Sequence, residues 1–202
     1  IRDRLETTCY APTIMGPFHY LPFLECNHAI ISLRHHITGS LKVNNQKFQI
    51  IGDGYIEKDW GRSFPQDYLW LQSNSCKEEE ASLFLSIAKI PLLACSFQGL
   101  IMNLLVDDQQ IRVATYYGAR VKDMFTREGY HYLIISQHPH TFYLKIKAGH
   151  RFELKSPQSG KMNGYVEESL NALAVLLVYK KNKKVAKFNF INCGFELFGN
   201  WL

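Results

Sequence analysis

SLNALAVLLVYKKNKKVAKFNFINCGFELF, residues 169–198, is the stretch whose reading decides the fold. Taken alone, Ser169–Val178 can be read as a helix. The residues after Val178 argue for strands. Lys180, Lys181, Asn182, Lys183 and Lys184 separate two apolar runs, Ala172–Tyr179 and Val185–Ile191, and the second run is rich in β-branched and aromatic residues. A short polar cluster between two such runs reads as the solvated tip of a hairpin. The stretch is therefore read as two antiparallel strands, Ser169–Tyr179 and Val185–Phe198.

The same reading extends through the rest of the chain. Leu21–Leu33 is one long extended stretch. Gly39–Val43 and Lys47–Ile51 flank Asn44-Asn45-Gln46, and Asn tolerates the positive φ of a tight hairpin. Gly52-Asp53-Gly54 reads as a turn. Tyr68–Cys76, Ala81–Ile90, Phe97–Val106, Ile111–Tyr117, His131–Gln137, Thr141–Lys147 and Arg151–Lys155 come next as strands, with polar turns at Glu78-Glu79-Glu80 and Asp107-Asp108-Gln109. Phe142, Leu144 and Ile146 alternate with Tyr143, Lys145 and Lys147, which gives one dry face and one wet face. Many strands with short turns and no long helical period predict an all-β, antiparallel fold. Closure into a β-barrel is expected, because closure removes sheet edges. One domain over residues 1–202 is expected.

Composition narrows the function classes. The chain has 202 residues, 47% hydrophobic and 20% charged, which fits a folded globular chain. A net charge of +5 is mild, and its one basic cluster is the hairpin tip, so no nucleic-acid partner is expected. Cys9, Cys26, Cys76, Cys95 and Cys193 show no metal-ligand spacing and read as buried reduced thiols of a cytoplasmic protein. No apolar run is long enough for a transmembrane segment. His35-His36 and His138/His140 lack a third ligand at recognisable spacing, so no metal is expected. No P-loop, dinucleotide fingerprint or nucleophile elbow is present, so no cofactor is expected either. The chain begins at Ile1, and an N-terminal portion, with any targeting segment, is expected to precede it.

One segment stands out: GYIEKDWGRSFPQDYLWLQSN, residues 54–74. Strand alternation puts Tyr55, Glu57 and Asp59 on one face, and Tyr68, Trp70, Gln72 and Asn74 on one face of the next strand. If these faces meet inside the barrel, a carboxyl is held among aromatics. Burial disfavours its charged form, so it keeps its proton. Such an acid can protonate an alkene, and a π-rich wall can shelter the cation. The structural alternative is that the acids form salt bridges with Lys58 and Arg62, and that Trp60 plugs the core.

Residues 54–74 also resemble the signature of the tocopherol cyclase-like family. In that signature a Tyr-x-Glu-Lys-x-Trp-Gly-x-x-Phe-Pro stretch precedes a Trp-x-Gln-x-Asn strand. The matching positions are Tyr55, Glu57, Lys58, Trp60, Gly61, Phe64, Pro65, Trp70, Gln72 and Asn74. MGPFHYLPFLECNHAIISL upstream, and GKMNGYVEESLNA and CGFELFGN downstream, are similar to the family's flanking strands. The resemblance implies a lipocalin-like (calycin-like) β-barrel with an apolar pocket, and an isomerase-type ring closure. In that chemistry the alkene of a prenylated quinol is protonated and the phenolic oxygen captures the cation.

Glu57 or Asp59 is then the expected catalytic acid. Tyr55, Trp60, Phe64, Trp70, Gln72 and Asn74 are expected to bind the substrate, with Glu25 and His28 from the upstream strand. Glu25 and His28 are three apart and need a bulge to share a face. The expected partner is a hydrophobic small molecule, an isoprenoid or another lipid, met in the cytoplasm or at a membrane surface. The competing reading is a non-catalytic lipocalin-like carrier or sensor of such a ligand. A third is a structural barrel with a filled interior.

Overall fold

The computed structural model describes residues 4–92 and 95–200, and they are nearly all antiparallel β. The first two strands, β1 (Cys26–Val43) and β2 (Gln46–Gly61), form a long ribbon of their own. The remaining strands are β3 (Tyr68–Ser73), β4 (Ser75–Cys76), β5 (Ala81–Leu92), β6 (Cys95–Val106), β7 (Gln109–Ala114) and β8 (Arg120–Arg127). They continue with β9 (Tyr130–Gln137), β10 (His140–Lys147), β11 (Arg151–Gln158), β12 (Lys161–Lys180) and β13 (Lys183–Phe198). These build one eleven-stranded sheet in the order β7-β6-β5-β3-β13-β12-β10-β9-β8, with β11 on β12 and β4 on β13.

The deciding stretch is two strands, β12 and β13. Lys181 and Asn182 turn between them at φ of 48° and 64°. Asn44 and Asn45 do the same between β1 and β2, at 47° and 67°. Paired positive φ values suit the two-residue turns whose twist matches the strands they join. Gly52-Asp53-Gly54 is not a turn. It lies within β2, with Gly54 opposite His35 and Gly52 opposite Ile37. A Cβ at Gly54 would collide with the Ile37 and His35 side chains, so glycine there serves close packing rather than chain reversal. Of the cysteines, Cys193 is buried and Cys26 and Cys76 are half-buried, whereas Cys9 and Cys95 are exposed, against the expectation of five buried thiols.

The sheet curls on itself, and its inner face is filled with apolar side chains. Leu85 on β5, Met102 on β6, Ile135 on β9, Phe142 on β10, Leu176 on β12 and Phe190 on β13 belong to one buried cluster. The backbone ladder does not close into a ring; the edge strands are β7 and β8. A side chain bridges the seam instead. Gln137 on β9 accepts a hydrogen bond from the Ala114 N–H at 3.0 Å and donates to the Arg112 carbonyl at 3.1 Å, both on β7. Gln137→Ala strands these two backbone groups, so a loss of about 1–3 kcal/mol in denaturant unfolding is expected.

β3, β5 and β6 are covered on their outer face as well. The N-terminal segment and the first half of the ribbon pack there, and Ile14, Ile30, Leu33, Phe84 and Leu105 form a second core. Burial on both faces explains why Ala81–Ala88 reads as a nearly continuous apolar run rather than an alternating one.

Candidate functional site

The site lies between the ribbon and the outer face of the sheet, not inside the curl. The expected barrel interior is occupied by side chains. A cavity of about 140 Å³ opens instead where β2 crosses β3, β5 and β13. A single water needs roughly a tenth of that space, so the cavity has room for an organic ligand. Phe18, Phe64, Trp70, Phe97, Ile101 and Tyr116 give it an aromatic and apolar wall. Phe18 stacks on Phe97 at 5.2 Å between centroids.

Alternation along β2 sends Tyr55, Glu57 and Asp59 to the face that meets the sheet. Glu57 is held from two sides: the Tyr55 hydroxyl donates to its Oε2 at 2.7 Å and the Trp70 indole N–H donates at 3.3 Å. His28, paired with Asp59 across the ribbon, completes the group. Its Nδ1 is 2.5 Å from Asp59 Oδ1, and its Nε2 is 3.5 Å from Glu57 Oε2. The ring stacks on Phe84 at 4.9 Å. Asp59 accepts the Nδ1–H, which turns the lone pair of a neutral imidazole at Nε2 toward Glu57. That Nε2 is buried and has no hydrogen-bond partner, with Glu57 Oε2 at 3.5 Å. The pair can therefore share one proton next to an apolar cavity.

A second carboxyl lies on the sheet side. Glu196 on β13 lines the same cavity and accepts a hydrogen bond from the Tyr68 hydroxyl. It stands opposite Trp70 on β3 and opposite Glu168 on β12, in one row across the sheet. A Cβ at Gly194 would meet the Trp70 ring at 2.7 Å, so glycine at that position gives the indole its place.

The sequence-predicted residues divide into three groups. Glu57, Asp59, His28, Phe64 and Trp70 line the cavity, and Tyr55 holds Glu57. Gln72 and Asn74 lie outside the cavity lining and form a clasp: the Gln72 amide donates to Asn74 Oδ1, the Asn74 amide donates to the Gly54 carbonyl at 2.9 Å, and the buried Ser82 hydroxyl donates to Asn74 Oδ1 at 2.7 Å. They tie the ribbon to the sheet because their strand is covered there by β2. Trp60 and Glu25 also lie outside the cavity lining. Trp60 is 38% exposed with Lys58 over its ring, because it falls on the ribbon face turned away from the sheet. Glu25 is exposed, and its backbone carbonyl accepts the Arg62 N–H at 2.7 Å. His28 takes its acidic partners from across the ribbon instead of three residues upstream. Phe18, Phe97, Tyr116 and Glu196 were not singled out in the sequence, and Tyr68 was read only as sharing a face with Trp70.

The electrostatics of the three key groups point one way. Burial pushes Glu57 up, against the His28 charge and the Tyr55 and Trp70 hydrogen bonds. Burial pushes Glu196 up to about 7, with Tyr68 opposing and the Glu168, Glu57 and Asp59 charges adding to the rise. Burial lowers His28, but the Asp59 hydrogen bond and the charges of both carboxylates outweigh it, and the net shift is upward. Each group binds a proton more tightly in the folded chain than in the unfolded one. The stability this provides is complete at low pH and is lost as the pH rises through the folded values. For Glu196 that window runs from 4.5 to about 7. The melting temperature is therefore expected to fall across this range, and Glu196→Gln to flatten the slope in a pH series of thermal melts.

His28, Glu57 and Asp59 are also the residues that could hold a metal ion, since a ligand atom from each lies within 4.8 Å of the others. Binding would have to break the His28–Asp59 hydrogen bond, and Glu57 Oε2 is already taken by two donors. The donor set fits a proton-sharing network better than a metal site. Among the described residues no helix is long and apolar enough to cross a membrane.

Comparison with known proteins finds a family similar to the segment that carries the ribbon and the acid group. A search of curated proteins finds no match to this chain. Among solved structures, the crystal structure of kievitone hydratase from Nectria haematococca is similar at 14% identity and a TM-score of 0.44, over 80% of this chain and 50% of that one. The chain thus spans about half the length of that structure. The family model described as tocopherol cyclase-like matches residues 8–90, the segment with the ribbon, β3, β4 and most of β5. Over residues 8–90, which hold His28, Glu57, Asp59 and Trp70, the chain is similar to the tocopherol cyclase-like family.

Proposed function

We propose that this protein is an enzyme that protonates the alkene of a hydrophobic, prenyl-type small molecule, with Glu57 as the acid. The observation that carries the reading is the position of Glu57. It is a half-buried carboxyl with a raised pKa, facing an apolar cavity and backed by a His28–Asp59 pair. A solvated carboxyl would be ionised at neutral pH and useless as an acid. Here burial shifts Glu57 toward its protonated form, and His28 Nε2 lies 3.5 Å away as a second place for the proton.

Protonation of a trisubstituted alkene gives a tertiary cation. Trp70, Phe64 and Tyr68 line the cavity, and an aromatic face turned to a cation stabilises it by about 1–2 kcal/mol when water is excluded. Capture by the substrate's own phenolic oxygen closes a ring, a reading supported by the similarity of residues 8–90 to the tocopherol cyclase-like family. Capture by water gives a tertiary alcohol.

The test is a mass-spectrometric assay with a panel of prenylated phenols and quinols. Product of unchanged mass and longer retention marks cyclisation, and a gain of one water marks hydration. Tight binding without conversion of any panel member overturns the enzymatic reading in favour of a carrier.

A further inference from the structure

Glu196 is a second carboxyl on the same cavity, and it comes from an unrelated part of the chain. It lies outside residues 8–90, on β13, whereas Glu57 is on the ribbon that covers this face of the sheet. Trp70 separates them: its N–H is committed to Glu57, while its ring lies over Gly194, two residues before Glu196. The Tyr68 hydroxyl fixes the carboxyl at the cavity wall. An addition across an alkene needs two proton transfers, one to carbon and one from oxygen. Glu57 is held in place by Tyr55 and Trp70, and Glu196 gives the same cavity a separately positioned carboxyl for the second transfer.

We propose that Glu196, positioned by Tyr68, is the base that takes the proton from the oxygen nucleophile. This rests on the reading of Glu57 as the acid. In the first step the Glu57 O–H bond breaks, a C–H bond forms and the alkene's electron pair is consumed, leaving a tertiary cation and a Glu57 carboxylate. In the second, the lone pair of water or of the substrate hydroxyl forms the C–O bond, and its O–H proton passes to the Glu196 carboxylate. The net reaction adds O–H across C=C. Return of the proton from Glu196 to Glu57 through solvent restores both groups.

The ionisation of Glu196 fits the task. The groups facing it are Tyr68 on β3, Glu168 on β12, and Glu57 and Asp59 on β2. Burial and the neighbouring carboxylates push it up to about 7, so near neutral pH it can exchange a proton and is a stronger base than a solvated carboxylate.

The experiment uses an ortho-prenylated phenol in D2O and follows two signals by mass spectrometry. One is deuterium entering the prenyl group of recovered substrate, which reports reversible protonation through Glu57. The other is the C–O product. Wild type is expected to give both. Glu196→Gln is expected to keep the deuterium signal and lose product formation by about 10²–10⁴-fold, the usual weight of a general base. Tyr68→Phe is expected to show a smaller loss of the same kind. Azide, which needs no deprotonation, is expected to give an azide adduct in Glu196→Gln. Retained C–O formation in Glu196→Gln, or loss of deuterium exchange in both variants, overturns the assignment of Glu196. Absence of both signals in wild type overturns the Glu57 reading and this proposal with it.

Discussion

Glu57→Gln is expected to lower kcat for alkene protonation by about 10²–10⁴-fold while leaving substrate affinity within a few-fold of wild type. Gln keeps the shape and still accepts from Tyr55 and Trp70 through its amide oxygen, so the ribbon stays in place. What it loses is a proton acidic enough to reach carbon. The melting temperature is expected to hold or rise, because a buried carboxyl with a raised pKa is costly to ionise and an amide carries no charge. Asp59→Asn is expected to act differently. It leaves the acid in place and weakens the hold on the His28 tautomer, so its effect belongs to the pH profile more than to the maximal rate. Steady-state kinetics with a thermal melt on each variant separate these outcomes. A Glu57→Gln variant of full activity removes Glu57 from the mechanism.

Phe142→Ala is expected to destabilise the chain by about 3–5 kcal/mol. Phe142 is 1% exposed and sits in the filled interior of the curl with Leu144 and Ile146. A domain of this size has about 5–15 kcal/mol in total, so the variant approaches unfolding at physiological temperature. The prediction also bears on where the ligand goes. Were the curl a ligand cavity, shortening Phe142 would enlarge an existing space at little cost. Trp60→Ala is the contrast: the side chain is bulky, but it lies on the ribbon's outer face, and a change within about 0.5 kcal/mol is expected. Urea unfolding of both variants makes the comparison.

Strand identity was legible because period and turn chemistry are local. The Lys-rich cluster with Asn182, and the Asn44-Asn45 pair, each mark a two-residue turn by residue type alone. The Gly52-Asp53-Gly54 error has the same local origin. Two glycines beside an aspartate have the composition of a turn, and only the ribbon register shows that side chains from β1 lie over Gly54. Tyr55, Glu57 and Asp59 were legible as one face because alternation is local too.

What covers that face is not local. Gln72 and Asn74 lie in the polar run Gln72-Ser73-Asn74-Ser75, which reads as an outward, wet end of a strand, and Glu196 stands between Phe195 and Leu197 as an outward polar residue would. Their burial arises because residues far upstream fold over the outer side of the sheet. The same packing moved the cavity from the expected barrel interior to the space beneath the ribbon. It also exposed Trp60, whose place in the signature suggested a wall. His28 was suspected with the wrong partner, since pairing across a ribbon with bulges depends on register, and register was not fixed by residue type.

The claim on which everything else depends is that the hydrophobic ligand lies beneath the ribbon, beside Glu57. Photolabelling tests it most directly. A prenylated phenol carrying a diazirine at the prenyl end would be irradiated with the protein, and the adducts mapped by peptide mass spectrometry. Adducts on Phe64, Trp70, Phe97 or Ile101, competed away by unlabelled prenyl phenol, are the predicted result. Competed adducts confined to the interior of the curl, on Phe142, Leu144 or Phe190, would contradict it.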